Sequence, residues 1–202
     1  MDISNSKTIY FIRHAKDDSR YRGGWSKRPL VRDGDIQACK LSENIIMHNN
    51  TMNIHTIISS DLPRAIQTAR PLSQSLKIQI KTDASWRETN NGKLAGMLSR
   101  EAERRYPGMY WSKLEPDQRY PGGESPKEFY NRISTAFTEI KNNVEKSTIN
   151  SNVAVFTHSG VINIIYSIVN NKEWTNKTKS FDIPYTSIHA FDIQKNTILQ
   201  IM

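Results

Sequence analysis

Short apolar runs alternate along this chain with longer segments in which apolar residues recur every three or four positions. The runs 8–12, 54–59 and 152–157 are compact and rich in β-branched or aromatic residues, which predicts buried strands. Each of the first two runs is followed by helical spacing, over about 34–48 and from Pro63 onward. This alternation predicts a layered α/β fold with a largely parallel sheet.

The second half of the chain has clearer boundary signals. Ser125 and Glu128 form a capping box with Pro126 at the first helical position, so a long amphipathic helix is expected to begin there. The segment 83–123 is rich in Gly, Pro, Trp and Tyr, which predicts loops. No repeat or linker interrupts the chain, so residues 1–202 are expected to form a single domain. The other predicted elements are a short strand at 78–81, a short helix at 99–105, an apolar helix at 161–169 and a hairpin of 187–193 and 197–201.

The composition suits a globular domain with its own core, since 37% of the 202 residues are hydrophobic and 24% are charged. No apolar run approaches the length of a membrane span, and Met1–Ser6 lacks the features of a secretory signal. The single cysteine, Cys39, cannot form an internal disulfide, which is typical of a reducing compartment. We therefore expect a cytoplasmic protein without a membrane partner.

The net charge of +8 attracts anions. Charge alone does not choose between nucleic acid, acidic membrane surfaces and phosphorylated metabolites. The basic residues are spread along the chain, however, without a block of five or more like charges. This distribution argues against nucleic acid as the partner.

Candidate chemistry lies where the predicted strands end. The first strand ends in Arg13-His14, Arg64 lies in the first turn after the second strand, and His158 ends the strand at 152–157. Ligands of open α/β sheets bind beyond the carboxyl ends of the strands, so these side chains are expected to meet. Arginine presents a planar fork to phosphate oxygens, and neutral imidazole acts as a nucleophile or proton carrier. Each residue alone is more often structural, but together they suit a phosphoryl group attacked by histidine.

The motifs around these residues resemble those of the histidine phosphatase superfamily, also called the phosphoglycerate mutase-like family. Arg13-His14-Ala15 resembles the Arg-His-Gly signature, and 59–69 is similar to the signature Ser-x-Leu-x-Arg-Ala-x-x-Thr-Ala. The resemblance covers about residues 8–160 and implies a three-layer α/β/α fold with a mostly parallel central sheet. Further similar segments follow in the family's order at 29–38, 86–96, 121–125 and 158–160.

The resemblance also implies roles for individual residues. His14 is expected to take the phosphoryl group, with His158 beside it in the phosphate pocket. Arg13 and Arg64 are expected to bind the phosphate and stabilise its charge. Glu88 is expected to protonate the leaving oxygen and then to help water attack the phosphohistidine. The resemblance implies no metal and no other cofactor, because the arginines supply the positive charge, and the sequence has no metal-ligand spacing.

Four positions depart from the family pattern. Ala15 and Ser159 replace glycines, and Lys16 stands where an acidic residue is common. Arg20 stands where the family often has asparagine near the phosphate, so we expect it to bind phosphate or a second anionic group. The acid is the most variable element of the family, and Glu124 and Asp83 are the alternatives to Glu88.

The loop 20–28 could reach the substrate, because it follows His14 and carries four basic and two aromatic residues. We expect Arg22, Trp25 and Ser26, together with Ser159, to contact the substrate. The corresponding hypothesis is a small phosphorylated metabolite with additional negative charge. The alternative is a solvated basic loop anchored by Trp25. Three other aromatic residues form either the opposite wall of the site or a minor core: Tyr106, Tyr110 and Trp111.

The interval between Glu88 and Gly122 favours a phosphatase. It is about 35 residues long, shorter than the inserts with which mutases of the family exclude water from the phosphoenzyme. We expect a metal-independent phosphomonoester hydrolase with a phosphohistidine intermediate. The alternatives are a phosphoglycerate mutase-type phosphotransferase, a non-catalytic phosphate-binding module and a phosphoprotein phosphatase. The sequence leaves the oligomeric state open.

Overall fold

A single six-stranded sheet organises the chain in the computed structural model, which describes residues 7–147, 152–178 and 180–202. The sheet is mixed and mostly parallel, because the first four strands pair in parallel and the last two pair antiparallel. The predicted α/β fold is therefore confirmed. In the order β3-β2-β4-β1-β5-β6, the strands are β1 (Thr8–Arg13), β2 (Ile54–Ser59), β3 (Ile80–Thr82), β4 (Asn152–Thr157), β5 (Ile188–Asp192) and β6 (Thr197–Gln200).

The helices follow the predicted pattern, with shifts of a few residues at their ends. The predicted strand at 78–81 begins only at Ile80, because the end of the preceding helix extends to Ile78. Lys77 is the C-cap residue of that helix, with a left-handed φ of 56°, and the Ile78 N–H donates to the Ser73 carbonyl at 3.1 Å. The helices are α1 (Arg32–Met47), α2 (Asn49–Met52), α3 (Pro63–Leu76), α4 (Ser99–Arg105), α5 (Pro126–Lys146) and α6 (Ser159–Val169).

Helices cover both faces of the sheet and give three layers. Because side chains alternate along a strand, Phe11 of β1 packs with α5 and α6, whereas Ile12 packs with α1 and α3. All six residues of β4 are buried, as expected for a central strand covered on both faces. Residues 83–125 lie between α3 and α5 and form their own small cluster around Leu94 and Leu114.

The parallel strands bring three strand ends together. Arg13 at the end of β1 pairs in register with Thr157 at the end of β4, and Ser59 at the end of β2 pairs with Phe156. The residues that immediately follow are His14, Ser60 and His158. The sheet therefore places both predicted histidines side by side at its carboxyl edge.

The start of α5 has the predicted capping box. The Ser125 hydroxyl accepts a hydrogen bond from the Glu128 N–H at 3.2 Å, and the Glu128 carboxylate accepts one from the Ser125 N–H at 2.8 Å. Replacing Ser125 by alanine is expected to lower the free energy of unfolding by about 1 kcal/mol, because one N–H of the first turn loses its acceptor. Urea unfolding measures this change. The control is Asn143→Ala at an exposed position inside α5, where alanine is expected to be neutral or stabilising.

Candidate active site

His14 lies directly after β1, where its N–H donates to the Thr157 carbonyl at 2.9 Å. The side chain is buried, and its ring nitrogens have different partners. Nδ1 donates to the Ala15 carbonyl at 2.7 Å, and Nε2 accepts from Nε of Arg64 at 3.2 Å. A carbonyl only accepts, so the proton lies on Nδ1 and the lone pair lies on Nε2. The fold therefore directs the Nε2 lone pair of His14 toward a guanidinium.

Arg64 is held in the first turn of α3, just after Pro63 at the helix start, and its side chain is only 2% exposed. Besides the bond to His14, its two terminal nitrogens donate to the carbonyls of Gly24, at 2.8 Å, and Ser26, at 3.2 Å. A carboxylate oxygen of Asp17 lies 3.7 Å from its Nε. These contacts hold the loop 20–28 and the guanidinium in one fixed arrangement.

His158 lies beside His14, with a distance of 5.0 Å between the ring centroids. Its Nε2 is 2.9 Å from the Ser60 hydroxyl, and its Nδ1 is buried without a hydrogen-bond partner among the described residues. The same holds for Nε of Arg13, whose Nη1 donates to the Ile183 carbonyl at 2.5 Å. Buried nitrogens that lack partners are rare in proteins, and a His158 ring whose Nε2 accepts from the Ser60 hydroxyl carries its proton on the unpartnered Nδ1. Such an arrangement suits an anion that accepts from both groups.

Burial lowers the pKa of His14 well below its usual value, and the neighbouring positive charges of Arg64 and Arg13 lower it further. The pKa of His158 is also lowered well below its usual value, by burial first and then by Arg64 and His14. Both imidazoles are therefore neutral at pH 7. A neutral His14 keeps the lone pair that a nucleophile requires.

The carboxylate of Glu88, a residue of the loop before α4, lies against the first turn of α6. It accepts hydrogen bonds from the N–H groups of Gly160 and Thr89, each at 3.1 Å. A Cβ at position 160 would lie 2.3 Å from a carboxylate oxygen of Glu88, so the approach needs a glycine. The backbone of Glu88 is also fixed, because its carbonyl accepts from Trp25 Nε1 at 2.7 Å and from Arg132 at 3.2 Å.

The two alternative acids have other roles. Glu124 accepts from the Asn90 N–H at 2.7 Å and pairs with Arg132 at 2.7 Å, so it stabilises the segment behind Glu88. Asp83 accepts from the Ser85 N–H at the start of a short 3₁₀ turn. Glu88, in contrast, lines a large cavity together with Ser159 and Gly160, the two residues that follow His158, although neither histidine is part of the lining. The geometry therefore favours Glu88 over both alternatives.

That cavity has a volume of about 560 Å³, and its lining includes Arg22 and Ser159, two of the four residues predicted to contact the substrate. Two other predicted substrate residues lie outside the lining. Trp25 stacks under Arg87 at 4.4 Å, which corresponds to the anchoring alternative, and the carbonyl of Ser26 accepts from Arg64.

The structure does not place Arg20 with the residues that are expected to bind phosphate. Its guanidinium is exposed and forms a forked interaction with the Asp18 carboxylate, with Nη2 at 2.6 Å and Nε at 2.9 Å. The Asp18 carboxylate, two residues away, binds the Arg20 guanidinium. The expectation from the family pattern did not take this ion pair into account. The methyl group of Ala15 fits without crowding, packed with Leu30 and Ala38. Lys16 pairs on the surface with Asp33.

Sequence reasoning missed two residues at the site: Tyr185, which lies against His14, and Asp17, which contacts Tyr185 and Arg64. The Tyr185 ring lies edge-on to His14 at 5.7 Å and beneath the Arg13 guanidinium at 3.8 Å. Its hydroxyl donates to Asp17 at 3.1 Å. Asp17 follows the first motif closely, but Tyr185 lies outside every recognised segment and reaches the site only through the fold.

The chain matches the family model described as histidine phosphatase superfamily (branch 1) over residues 9–200. The chain belongs to this superfamily. The recognition from short motifs is thereby confirmed. Within the described residues, no helix is long and apolar enough to cross a membrane.

The similar sequences described below are named as mutases, whereas the similar solved structures are named as phosphatases. A probable phosphoglycerate mutase of Proteus mirabilis is 32% identical over 133 residues, 63% of this chain and 60% of the relative, so the match spans less than two thirds of the relative's length. Among solved structures, a mycobacterial glucosyl-3-phosphoglycerate phosphatase has a TM-score of 0.73 at 20% identity, covering 96% of each chain. An α-ribazole phosphatase of Shigella flexneri has a TM-score of 0.79 at 17% identity, covering 96% of this chain and 94% of that one. At such identities these structures show a shared fold.

Neutral buried histidines predict a loss of stability in acid. His189 is fully buried between the Tyr166 and Ser187 hydroxyls, and burial lowers its pKa to about 4. Below pH 6.5, His189 is protonated in the unfolded chain but stays neutral in the native protein. The free energy of unfolding therefore falls as pH drops from 7 toward 4. His189→Gln is expected to make this slope shallower by about 1.4 kcal/mol per pH unit.

Urea unfolding at a series of pH values between 7 and 4.5 measures that slope. The control is His55→Gln, which changes an exposed histidine on β2. An unchanged slope in the His189 variant would contradict a neutral native His189. The slope is the quantity compared, so a constant change in stability caused by the substitution does not affect the conclusion.

Proposed function

We propose that this protein is a phosphomonoester hydrolase that works through a phosphohistidine at His14 without a metal ion. The observation that carries the proposal is the Nε2 lone pair of His14, which faces the buried Arg64 guanidinium at 3.2 Å. Arg13 and His158 add unpaired buried nitrogens, and the Glu88 carboxylate accepts from the N–H of Gly160, two residues after His158. A module that only binds phosphate would not need a neutral nucleophile with a carboxyl group opposite.

In the first step, Nε2 of His14 attacks phosphorus and the bond from phosphorus to the ester oxygen breaks. The electron pair of that bond passes to the leaving oxygen, which takes a proton from Glu88 and departs as an alcohol. Arg13 and Arg64 stabilise the charge on the phosphoryl oxygens, and Nδ1 of His158 donates to one of them. The bond from Nδ1 of His14 to the Ala15 carbonyl stabilises the ring as it gains positive character.

In the second step, the Glu88 carboxylate takes a proton from a water molecule as the water oxygen attacks phosphorus. The bond from phosphorus to Nε2 breaks, its electron pair returns to His14, and inorganic phosphate leaves. Glu88 is then protonated and His14 is neutral, as at the start. Each turnover consumes one ester and one water and requires no other reactant.

Hydrolysis is favoured over phosphoryl transfer between hydroxyl groups. The cavity beside Glu88 opens to solvent, and the segment between Glu88 and Gly122 contains short turns and α4 instead of a long cover. Water therefore reaches the phosphoenzyme, which a mutase must prevent. The mutase is the second candidate, because curated relatives bear that name.

The test is to incubate the protein with benzyl phosphate and, separately, with 3-phosphoglycerate plus 2,3-bisphosphoglycerate, in buffer containing EDTA. A hydrolase releases inorganic phosphate from benzyl phosphate at a rate that EDTA does not change. A mutase converts 3-phosphoglycerate to 2-phosphoglycerate faster than it releases phosphate, which ³¹P NMR detects directly. Failure of both reactions in folded protein would overturn the catalytic proposal and favour a binding module.

A further inference from the structure

The cavity beside Glu88 is much larger than a phosphate group requires. It has a volume of about 560 Å³, and its lining includes Glu88 together with Ser159 and Gly160, which follow His158 in the chain. The far end is formed by the segments 111–112 and 174–178. Because Glu88 is the group expected to protonate the leaving oxygen, the space beyond it is where the alcohol part of the substrate would lie.

One wall of this space is aromatic. Phe129, Trp111, Trp174 and Tyr130 form a continuous row with centroid distances of 5.6 Å, 6.1 Å and 5.3 Å between successive rings. Trp111 and Trp174 are only half-buried and line the cavity together with Phe129, whereas Tyr130 does not line it. Aromatic side chains in a cavity lining favour binding of a ring.

The aromatic wall is held in place before any ligand binds. The side-chain amide of Asn176 is buried and donates to the carbonyls of Trp111, at 2.6 Å, and Leu114, at 2.9 Å. Lys177 donates to the Leu114 carbonyl and pairs with Glu115, each at 2.8 Å. These bonds tie the loop that carries Trp174 to the segment that carries Trp111. A rigid wall binds a ring with a smaller loss of conformational entropy than a flexible one.

The positive charge available to a substrate is smaller than the basic loop suggested. Arg20 is paired with Asp18, and Arg28 lies over the Tyr21 ring at 3.1 Å with its Nε donating to the Gly96 carbonyl. Lys27 is exposed and is not part of the cavity lining. Of these four basic residues, Arg22 lines the cavity. A substrate with several extra negative charges would therefore find few cations.

Arg22 still has capacity for one acceptor. Its Nη2 lies 3.8 Å from Glu103, beyond hydrogen-bond distance, and its Nε is buried without a partner among the described residues. The guanidinium stacks over Tyr110 at 4.6 Å, which fixes its plane. Because Arg22 lines the cavity and its ion-pair partner Glu103 is too distant for a hydrogen bond, a single carboxylate or similar group in the cavity would pair with the guanidinium.

We propose that the leaving group is a ring-bearing alcohol that carries one anionic group, with the ring on the wall of Trp111 and Trp174 and the anionic group on Arg22. This inference rests on the proposed hydrolase function and specifies its substrate class. It narrows the hypothesis of a small phosphorylated metabolite with additional negative charge to a ring-bearing one that carries a single anionic group besides the phosphate. Ring and charge act at different places, so each is tested by its own substrate pair.

The test uses three esters of primary alcohols: ethyl phosphate, benzyl phosphate and 4-carboxybenzyl phosphate. In the wild type, kcat/KM is expected to rise about tenfold from ethyl to benzyl, from burial of the ring. A further rise of about tenfold is expected from benzyl to 4-carboxybenzyl, from one charge-assisted hydrogen bond. Trp174→Ala should remove most of the first preference, and Arg22→Gln most of the second.

A ratio of two esters within one variant cancels differences in folding, and comparison of that ratio between variants cancels the intrinsic reactivity of the esters. Trp174→Phe keeps a ring and should retain part of the preference for benzyl, and Lys27→Gln removes the same charge from the same loop but should retain the preference for the carboxylate. Equal turnover of all three esters, or ratios unchanged by Arg22→Gln and Trp174→Ala, would overturn the inference while leaving the hydrolase proposal intact. Absence of turnover with every ester would overturn both.

Discussion

Replacing His14 by alanine is expected to lower the rate of phosphate release by about a thousand-fold or more, because no phosphohistidine can then form. The effect should appear in kcat. Acid quenching of the wild type with ³²P-labelled substrate is expected to trap label on the protein in an acid-labile, base-stable form, and the alanine variant should carry none. Measuring phosphate release and bound label in the same samples links the rate to the intermediate.

The matched control for this prediction is His55→Ala. His55 is exposed on β2 and its described hydrogen bond is to the nearby Asn53 carbonyl. This variant should retain both the wild-type rate and the trapped label. Hydrolysis that continues in the His14 variant at a rate near that of the control would show that another group attacks phosphorus, and the proposed mechanism would be wrong.

Arg64→Lys is expected to have the second largest effect, a fall in kcat of about a hundred-fold or more. Lysine keeps the charge but loses the planar fork, and the Arg64 fork reaches His14, Gly24 and Ser26 at the same time. The carbonyls of Gly24 and Ser26 would lose their donors, so the melting temperature should also fall. Steady-state kinetics and thermal unfolding measure the two effects separately.

Arg70→Lys is the corresponding control, because Arg70 lies on the same helix with an exposed side chain. Its kcat and melting temperature are expected to match the wild type. Equal kinetics for the Arg64 and Arg70 variants would mean that charge alone stabilises the transferring group. The planar geometry of Arg64 would then have no catalytic role.

Most of the fold could be predicted because its strands and helices have strong local signals. The strand at 54–59 and the helix start at Pro63 are as predicted, since a compact β-branched run and a first-turn proline fix them. The shift of β3 to Ile80 depends on the left-handed Lys77 at the end of α3, and hydrophobic spacing does not report that conformation. The predicted start of β3 was therefore wrong because a turn at the end of α3, and not the hydrophobic pattern, determines where the strand begins.

Within the candidate site, residues at strand ends were predictable and residues from distant loops were not. His14 and His158 follow neighbouring parallel strands, so knowing the fold class was sufficient to bring them together. Tyr185 precedes an antiparallel strand far along the chain, and only the pairing of β1 with β5 places it against His14. Arg20 fails for another reason, since a neighbouring carboxylate competes for its guanidinium.

Gly160 has no Cβ, and replacing it by alanine is expected to change stability and turnover in opposite directions during directed evolution of this protein. Alanine at this helical position would raise the free energy of unfolding by up to about 1 kcal/mol through helix propensity. The same methyl group would displace the Glu88 carboxylate, which rests against position 160. If Glu88 acts as proposed, libraries sorted for heat resistance alone should accumulate a less active alanine variant, whereas libraries sorted for product formation should retain the glycine.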